Sequence, residues 1–278
     1  MNTANPPRGL LLDMDGVLYH GERVLPHARA FLEATARLPR VFVTNNPIRT
    51  PAEVAARLRD LGLGEIPAGD ILTSGVAAAR WLAKERPGFR FYAVGADGLH
   101  RVLAEQGTED PEAADFVVVG EGPGLDYDTL THGLHLLLKG ARLISTNPDA
   151  TVDAVRDGEH LVLPGGGALV APFAVASGQT PVTIGKPEPL LYEMALERLG
   201  LSAADCVMVG DRPDTDIAGA ARLGIRTALV RSGRFAPGEP WPEGLPRPDW
   251  DQPDLGALLA DWRARWPKRF DAPAEMQG

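Results

Sequence analysis

The chain has 278 residues, 44% of them hydrophobic, with 28 basic and 37 acidic side chains, a formal net charge of −9 and a single cysteine. This length fits one large or two ordinary domains with a real core. The acidic balance argues against nucleic acid or an anionic membrane as partner. One cysteine excludes an internal disulfide framework and suits the cytosol. No apolar run approaches the roughly 18 residues of a membrane span, and the opening MNTANPPRGL lacks the apolar stretch of a secretory signal. The expected location is cytoplasmic.

In chain order, the first segment is GLLLDMDGVL, residues 9–18. Leu10-Leu11-Leu12 reads as a buried strand of a parallel sheet, closed by Asp13, Asp15 and Gly16. YHGERVLP follows as a hairpin-like flap, with Gly21 and Pro26 as turn residues. VFVTNN, residues 41–46, is a second strand ending in Thr44 and Asn45. Thr50 and Pro51 then cap a helix that places Val54, Leu58 and Leu61 on one face. A further helix is predicted within 71–84, started near Thr73-Ser74. Next comes an alternating stretch: FRFYAVG, a helix near 98–106, DFVVVG, a helix near 127–138, and RLIST. The pattern then returns to a helix, the strand CVMVGD, a helix near 215–223 and the strand RTALV. From about 233 the chain is rich in Pro, Gly and Trp and reads as a loop that wraps the surface with its tryptophans packed inward. LGALLADWRARW, residues 255–266, is an amphipathic last helix. The final dozen residues read as frayed.

Four of these segments carry chemistry. Ligands in open α/β sheets bind beyond the carboxyl ends of the strands, and Asp13 and Asp15 sit at such an end. Paired acids there can divide the work of nucleophile and general acid/base, although Asp and Gly also suit an ordinary strand-to-turn junction. Thr44 offers a hydroxyl at the next strand end. TIGKPEP, residues 183–189, sets Lys186 just before a helical pattern, and CVMVGDRPDTDI, residues 206–217, ends a third strand in Asp211 and Asp216. A carboxylate nucleophile, a hydroxyl donor, a fixed cation and acids for a hard metal ion together form a phosphate site in parts.

These segments resemble the four motifs of the haloacid dehalogenase-like (HAD) hydrolase superfamily. ISTNPDATV, residues 144–152, and LPGGGALV, residues 163–170, resemble the NagD-like, 4-nitrophenylphosphatase-like subfamily, and the likeness extends over roughly residues 8–260. It implies an α/β fold: a HAD Rossmann-like core with a parallel sheet, residues 1–80 and 181–278, interrupted by an inserted α/β C2-type cap, residues 81–180. It implies a phosphatase that hydrolyses small phosphate monoesters. Asp13 would be the nucleophile, forming an aspartyl-phosphate, and Asp15 the general acid/base, with its backbone carbonyl facing a metal. Asp211 would be a further metal carboxylate, and Asp216 would orient the metal's waters. The metal would be Mg²⁺, since few carboxylates and a substrate phosphate suit it. Thr44 would bond a phosphoryl oxygen, Lys186 would offset charge on Asp13 and the phosphate, and Asn45 would position substrate. A homodimer through the cap stays open. So do other readings of the same fold, a non-catalytic phosphometabolite-binding protein or another HAD phosphotransferase; intact Asp13 and Asp15 favour the enzyme.

Several residues also admit plainer readings. Asp216 could be a helix N-terminal acid, Asn45 and Asn46 could be turn residues, and Lys186 could be a solvated lysine. His132 and His135 lie three apart on a helix but lack further metal-binding partners, so packing is the expectation. Cys206 reads as inert core. VGEGPG, residues 119–124, reads as a cap turn, since it lacks the Lys-Ser/Thr of a nucleotide loop. Gly165–Gly167 should permit a close backbone approach, and with Asn147 and Asp149 they are expected to set specificity. Gly122 stands where many relatives carry an acid, and Pro47 where many carry a small hydroxyl residue.

Overall fold

The structure is a computed structural model that describes residues 5–156 and 159–270. The chain divides into two compact units: Met1–Val43, Arg57–Ile66 and Ala195–Gly278 form one, and Thr44–Ala56 and Pro67–Met194 form the other.

The first unit is built on a parallel sheet. Strand Gly9–Leu12 lies between Cys206–Gly210 and Arg40–Thr44, with Leu12 opposite both Val209 and Phe42. Outward from Cys206–Gly210 come Arg226–Val230 and then Trp250–Gln252 at the sheet edge, again parallel. The central strands are buried along their whole length, as expected of near-continuous apolar runs covered on both faces. Helix Leu255–Arg265 starts at Asp254, whose carboxylate accepts the Ala257 N–H at 2.8 Å. The Pro/Trp-rich segment does more than wrap. Trp250 is buried on the edge strand, packs on Trp262 at 5.8 Å and donates its indole N–H to Asp261. Trp241 packs edge-on against Phe235 and bonds the Leu245 carbonyl.

The second unit has its own parallel sheet in the order Val182–Thr183, Arg142–Ser145, Phe116–Val119, Arg90–Val94, Thr108–Glu109. Helices Ser74–Glu85, Asp97–Ala104, Tyr127–Leu138 and Gly166–Ser177 belong to it. Phe173 and Val170 of the last pack with Val117, Val119, Leu136 and Leu143 in one apolar cluster. The helix expected within 71–84 starts where its Thr73-Ser74 step pointed. Ile71–Thr73 is a strand, and the Thr73 side chain accepts the Val76 N–H at 3.2 Å, so the helix begins at Ser74. The antiparallel pair Thr151–Arg156 and Glu159–Pro164 was not anticipated. Its signal, Asp157-Gly158 between two alternating stretches, is a recognised hairpin pattern; those two residues lie outside the described set.

Candidate active site

Strand ends create the acid cluster in the first unit. Asp13 leaves strand Gly9–Leu12 and its N–H donates to the Val209 carbonyl at 2.9 Å, which holds it beside the end of the neighbouring strand. That neighbour ends at Gly210, so Asp211 emerges next to Asp13. The chain then makes a wide π-type turn over Pro213–Ile217, in which the Ile217 N–H reaches back to the Arg212 carbonyl at 3.3 Å. This turn brings Asp216 back, and its Oδ2 accepts the Arg212 N–H at 3.1 Å. Ligand oxygens of Asp13, Asp211 and Asp216 all lie within 4.8 Å of one another. The three residues are only 8%, 3% and 0% exposed.

Glycines make this crowding feasible. A Cβ on Gly210 would stand 2.3 Å from the Asp216 Cβ. A Cβ on Gly233 would stand 2.1 Å from Asp211 Oδ2 and 2.6 Å from the Gly16 Cα. The segment following strand Arg226–Val230 also holds the acid directly: the Arg234 N–H donates to Asp211 Oδ2 at 2.6 Å, and Ser232 Oγ to the Gly16 carbonyl at 2.8 Å. Arg231 anchors that segment through two bonds to the Asp251 carboxylate, at 2.7 and 2.8 Å. Sequence reasoning missed Ser232, Gly233 and Arg234; their only signal was a Ser-Gly turn dipeptide just past an apolar strand.

Asp15 is placed differently. Its side chain is 54% exposed, outside the buried trio, and its Oδ1 lies 3.4 Å from His20 Nδ1. The Gly16 N–H bonds the Tyr19 carbonyl at 2.8 Å with Gly16 at φ +77°, and this tight turn returns the flap toward Asp15. His20 was not among the expected site residues.

The other expected residues fall in the second unit. Thr44 ends its strand, and its Oγ1 accepts the Asn46 N–H at 3.1 Å. Asn45 and Lys186 are directly bonded: Asn45 Oδ1 accepts the Lys186 N–H at 2.7 Å, and Asn45 Nδ2 donates to the Lys186 carbonyl at 2.9 Å. Lys186 is buried, as are Asn147, Asp149 and Glu121. Gly165 and Gly167 permit close approach to the 148–149 backbone, since Cβ atoms there would stand 2.2 Å from the Asp149 oxygen and 2.4 Å from the Pro148 oxygen. His132 bonds the Pro111 carbonyl and packs on Tyr92 at 4.9 Å. Cys206 is buried, and burial pushes its thiol up to about 11. No described helix is long and apolar enough to cross a membrane.

Comparison with known proteins agrees with the strand-end chemistry. Residues 10–109 match the haloacid dehalogenase-like hydrolase family model, and residues 183–255 match a second HAD-hydrolase-like model. The chain is 36% identical over 230 residues to an acid sugar phosphatase of Staphylococcus haemolyticus, spanning 81% of this chain and 86% of that protein. Among solved structures, it is similar to a p-nitrophenyl phosphatase from Archaeoglobus fulgidus, with a TM-score of 0.84, 29% identity and coverage of 92% of this chain and 100% of that one. NagD from E. coli K-12 gives a TM-score of 0.78 at 31% identity, covering 90% and 98%. With a parallel-sheet α/β core, three acids gathered at its strand ends and relatives of this kind over most of its length, the chain belongs to the haloacid dehalogenase-like hydrolases, as a phosphatase of the NagD-like, 4-nitrophenylphosphatase-like branch.

Proposed function

We propose that this protein is a cytoplasmic, Mg²⁺-dependent phosphatase that hydrolyses small phosphate monoesters through an aspartyl-phosphate on Asp13. The observation that carries the reading is the buried trio of Asp13, Asp211 and Asp216. Three like charges packed so closely are unfavourable unless a cation offsets them. The donors are hard carboxylate oxygens in small number, which fits Mg²⁺ better than the larger cages of Ca²⁺. Asp13, Asp211 and Asp216, with the main chain of Asp15, would hold the ion. When bound, it would neutralise charge on the phosphoryl oxygens.

Asp13 is the nucleophile, since a carboxylate needs no deprotonation at neutral pH. Its oxygen bonds to phosphorus as the ester P–O bond breaks. Asp15 gives its proton to the leaving alkoxide, then takes one from the water that attacks phosphorus and releases phosphate from Asp13. The half-exposed setting of Asp15 beside His20 suits a group that must exchange protons. Thr44 donates to a phosphoryl oxygen, and Lys186 supplies positive charge to the phosphoryl group. Residues 81–180 form a cap that limits substrate size and sets specificity. The acid sugar phosphatase relative directs the first substrate panel to sugar phosphates.

Phosphate release from such a panel, with 4-nitrophenyl phosphate as the generic ester, tests the proposal. Metal-stripped protein should be inactive and recover with Mg²⁺, and Asp13→Asn should keep its fold and lose at least about 10³-fold in turnover. Full turnover without metal, substantial turnover by Asp13→Asn, or faster hydrolysis of folded phosphoproteins than of any small ester would each reject the corresponding part.

A further inference from the structure

Lys186 is held by a single side chain on both sides of its backbone. Asn45 accepts from its N–H at 2.7 Å and donates to its carbonyl at 2.9 Å. The second Asn45 Nδ2 hydrogen goes to Asp149 Oδ2 at 2.9 Å. A primary amide has two N–H donors, so the Asn45 side chain has none left to offer a substrate. Its main-chain carbonyl is fixed as well, by Ser74 Oγ at 2.5 Å and Asn147 Nδ2 at 2.9 Å.

Asn147 carries the chain of bonds inward. It is wholly buried, its Oδ1 accepts the Asp149 N–H at 3.1 Å, and its second Nδ2 hydrogen goes to Glu121 Oε1 at 2.9 Å. Glu121 is itself 1% exposed. Its Oε1 therefore gives the chain of bonds a fixed acceptor in the interior, which suits an anchor. The next residue, Gly122, has φ +128°, and a Cβ on it would lie 2.4 Å from the Ala96 nitrogen, so a side chain there would be strained.

We propose that Glu121, Asn147 and Asn45 form a positioning frame for Lys186. Asn45 positions the lysine rather than the substrate, and Glu121 acts at the far end of the frame by fixing the Asn147 amide. The inference rests on the reading of Lys186 as the cation of the phosphate site. The frame works by reach and acceptor geometry, not by the charge of Glu121 as such.

Three substitutions separate these terms. Glu121→Gln keeps an acceptor oxygen at the same reach and should stay within about 3-fold of wild-type kcat/KM. Glu121→Asp keeps the charge but is one methylene short; Glu121→Leu removes the acceptor. Both should lower kcat/KM by about 10- to 100-fold and raise the inhibition constant of inorganic phosphate, while Mg²⁺ affinity stays unchanged. In a Lys186→Met background the same changes should have little further effect, because a residue acting only through Lys186 has nothing left to position. A normal Glu121→Asp with a defective Glu121→Gln overturns the frame, as does an equal loss in both backgrounds. Retained activity in Lys186→Met alone would instead sink the reading of the lysine, and the frame with it. Should Glu121→Leu fail to fold, the Asp and Gln variants still decide the matter.

Discussion

The acid cluster and the amide frame around Lys186 are built by opposite means. In the first unit, three carboxylates gather because strand ends and a wide turn bring backbone together, with Gly210 and Gly233 giving way to carboxylate atoms. Its carboxylates are met by backbone N–H groups, from Arg212 and Arg234. In the second unit the fixing is done by side chains: Asn45 and Asn147 spend their amides on carbonyls and carboxylates up to 141 residues away. A site made by close packing fails when atoms are added. A site made by amides fails when hydrogen-bonding groups are exchanged. The two regions should therefore respond to different kinds of substitution.

The largest expected effect is at the cluster itself. Asp211→Asn removes one charge from the trio and should lower turnover by about 10³-fold, with Mn²⁺ binding, followed by its paramagnetic signal, lost in parallel. Unchanged Mn²⁺ affinity in that variant would separate Asp211 from the metal.

Adding one methyl group sharpens the comparison. Gly233→Ala places a Cβ where Asp211 Oδ2 now stands, so metal affinity should fall by about 10- to 100-fold, the usual loss when a supporting residue of a metal site is changed. Titration calorimetry with Mg²⁺ would read this, and thermal unfolding would confirm an intact fold. If Gly233→Ala binds Mg²⁺ as tightly as wild type, close packing does not set the carboxylate geometry.

The strand that leads to Asp211 begins with Cys206, whose thiol burial pushes up to about 11. A folded thiol held above its unfolded value near 9 binds its proton more tightly than the unfolded chain does. That stability is complete below pH 9 and is lost as pH rises toward 11, by about 2–3 kcal/mol in all. Denaturant unfolding at pH 8 and pH 11 should show this fall in wild type and a shallower one in Cys206→Ala. Equal slopes would contradict it.

A smaller effect tests a hydrogen-bonded feature of the second unit. Thr50 and Glu53 form a reciprocal cap: the Thr50 N–H donates to Glu53 Oε2 at 2.9 Å, and the Glu53 N–H to Thr50 Oγ1 at 3.3 Å. The Arg101 guanidinium beside Glu53, with the Thr50 bonds, holds its carboxyl down at about 2. Thr50→Ala should cost about 1 kcal/mol by chemical denaturation with kcat within 2-fold. The Glu53 contribution is present above its ordinary value near 4.5 and fades as pH falls toward 2; an undiminished stability at pH 2.5 relative to pH 6 in Thr50→Ala and wild type alike would argue against it.

Much of the fold was legible because its signals are local. Leu10–Leu12, Val207–Val209 and Ala228–Val230 are apolar runs too short for helices and are buried on both faces. Thr50-Pro51 announced its helix, and Asp13 and Asp211 could be assigned to strand ends from sequence alone. Thr73-Ser74 marked the start of the next helix, whereas the short strand Ile71–Thr73 ahead of it stayed hidden, because three apolar or β-branched residues joined to an alanine-rich helix share its period. The helix Gly166–Ser177 escaped because three glycines open it and apolar residues surround it on all sides.

The amino-acid sequence by itself determined the periodicities, and with them the strands, most helices and the residue types available for phosphate chemistry. Tertiary structure alone decided which polar groups share a bond. Glu121 meets Asn147 across 26 residues, Asn147 meets Asn45 across 102, and Arg234 meets Asp211 across 23. Hydrogen bonds depend on separations of about 3 Å and on direction, and no local pattern encodes either between residues so far apart in the chain. The π-type turn that returns Asp216 to Asp211 is of the same kind, since its geometry follows from the neighbours it packs between rather than from the five residues that form it.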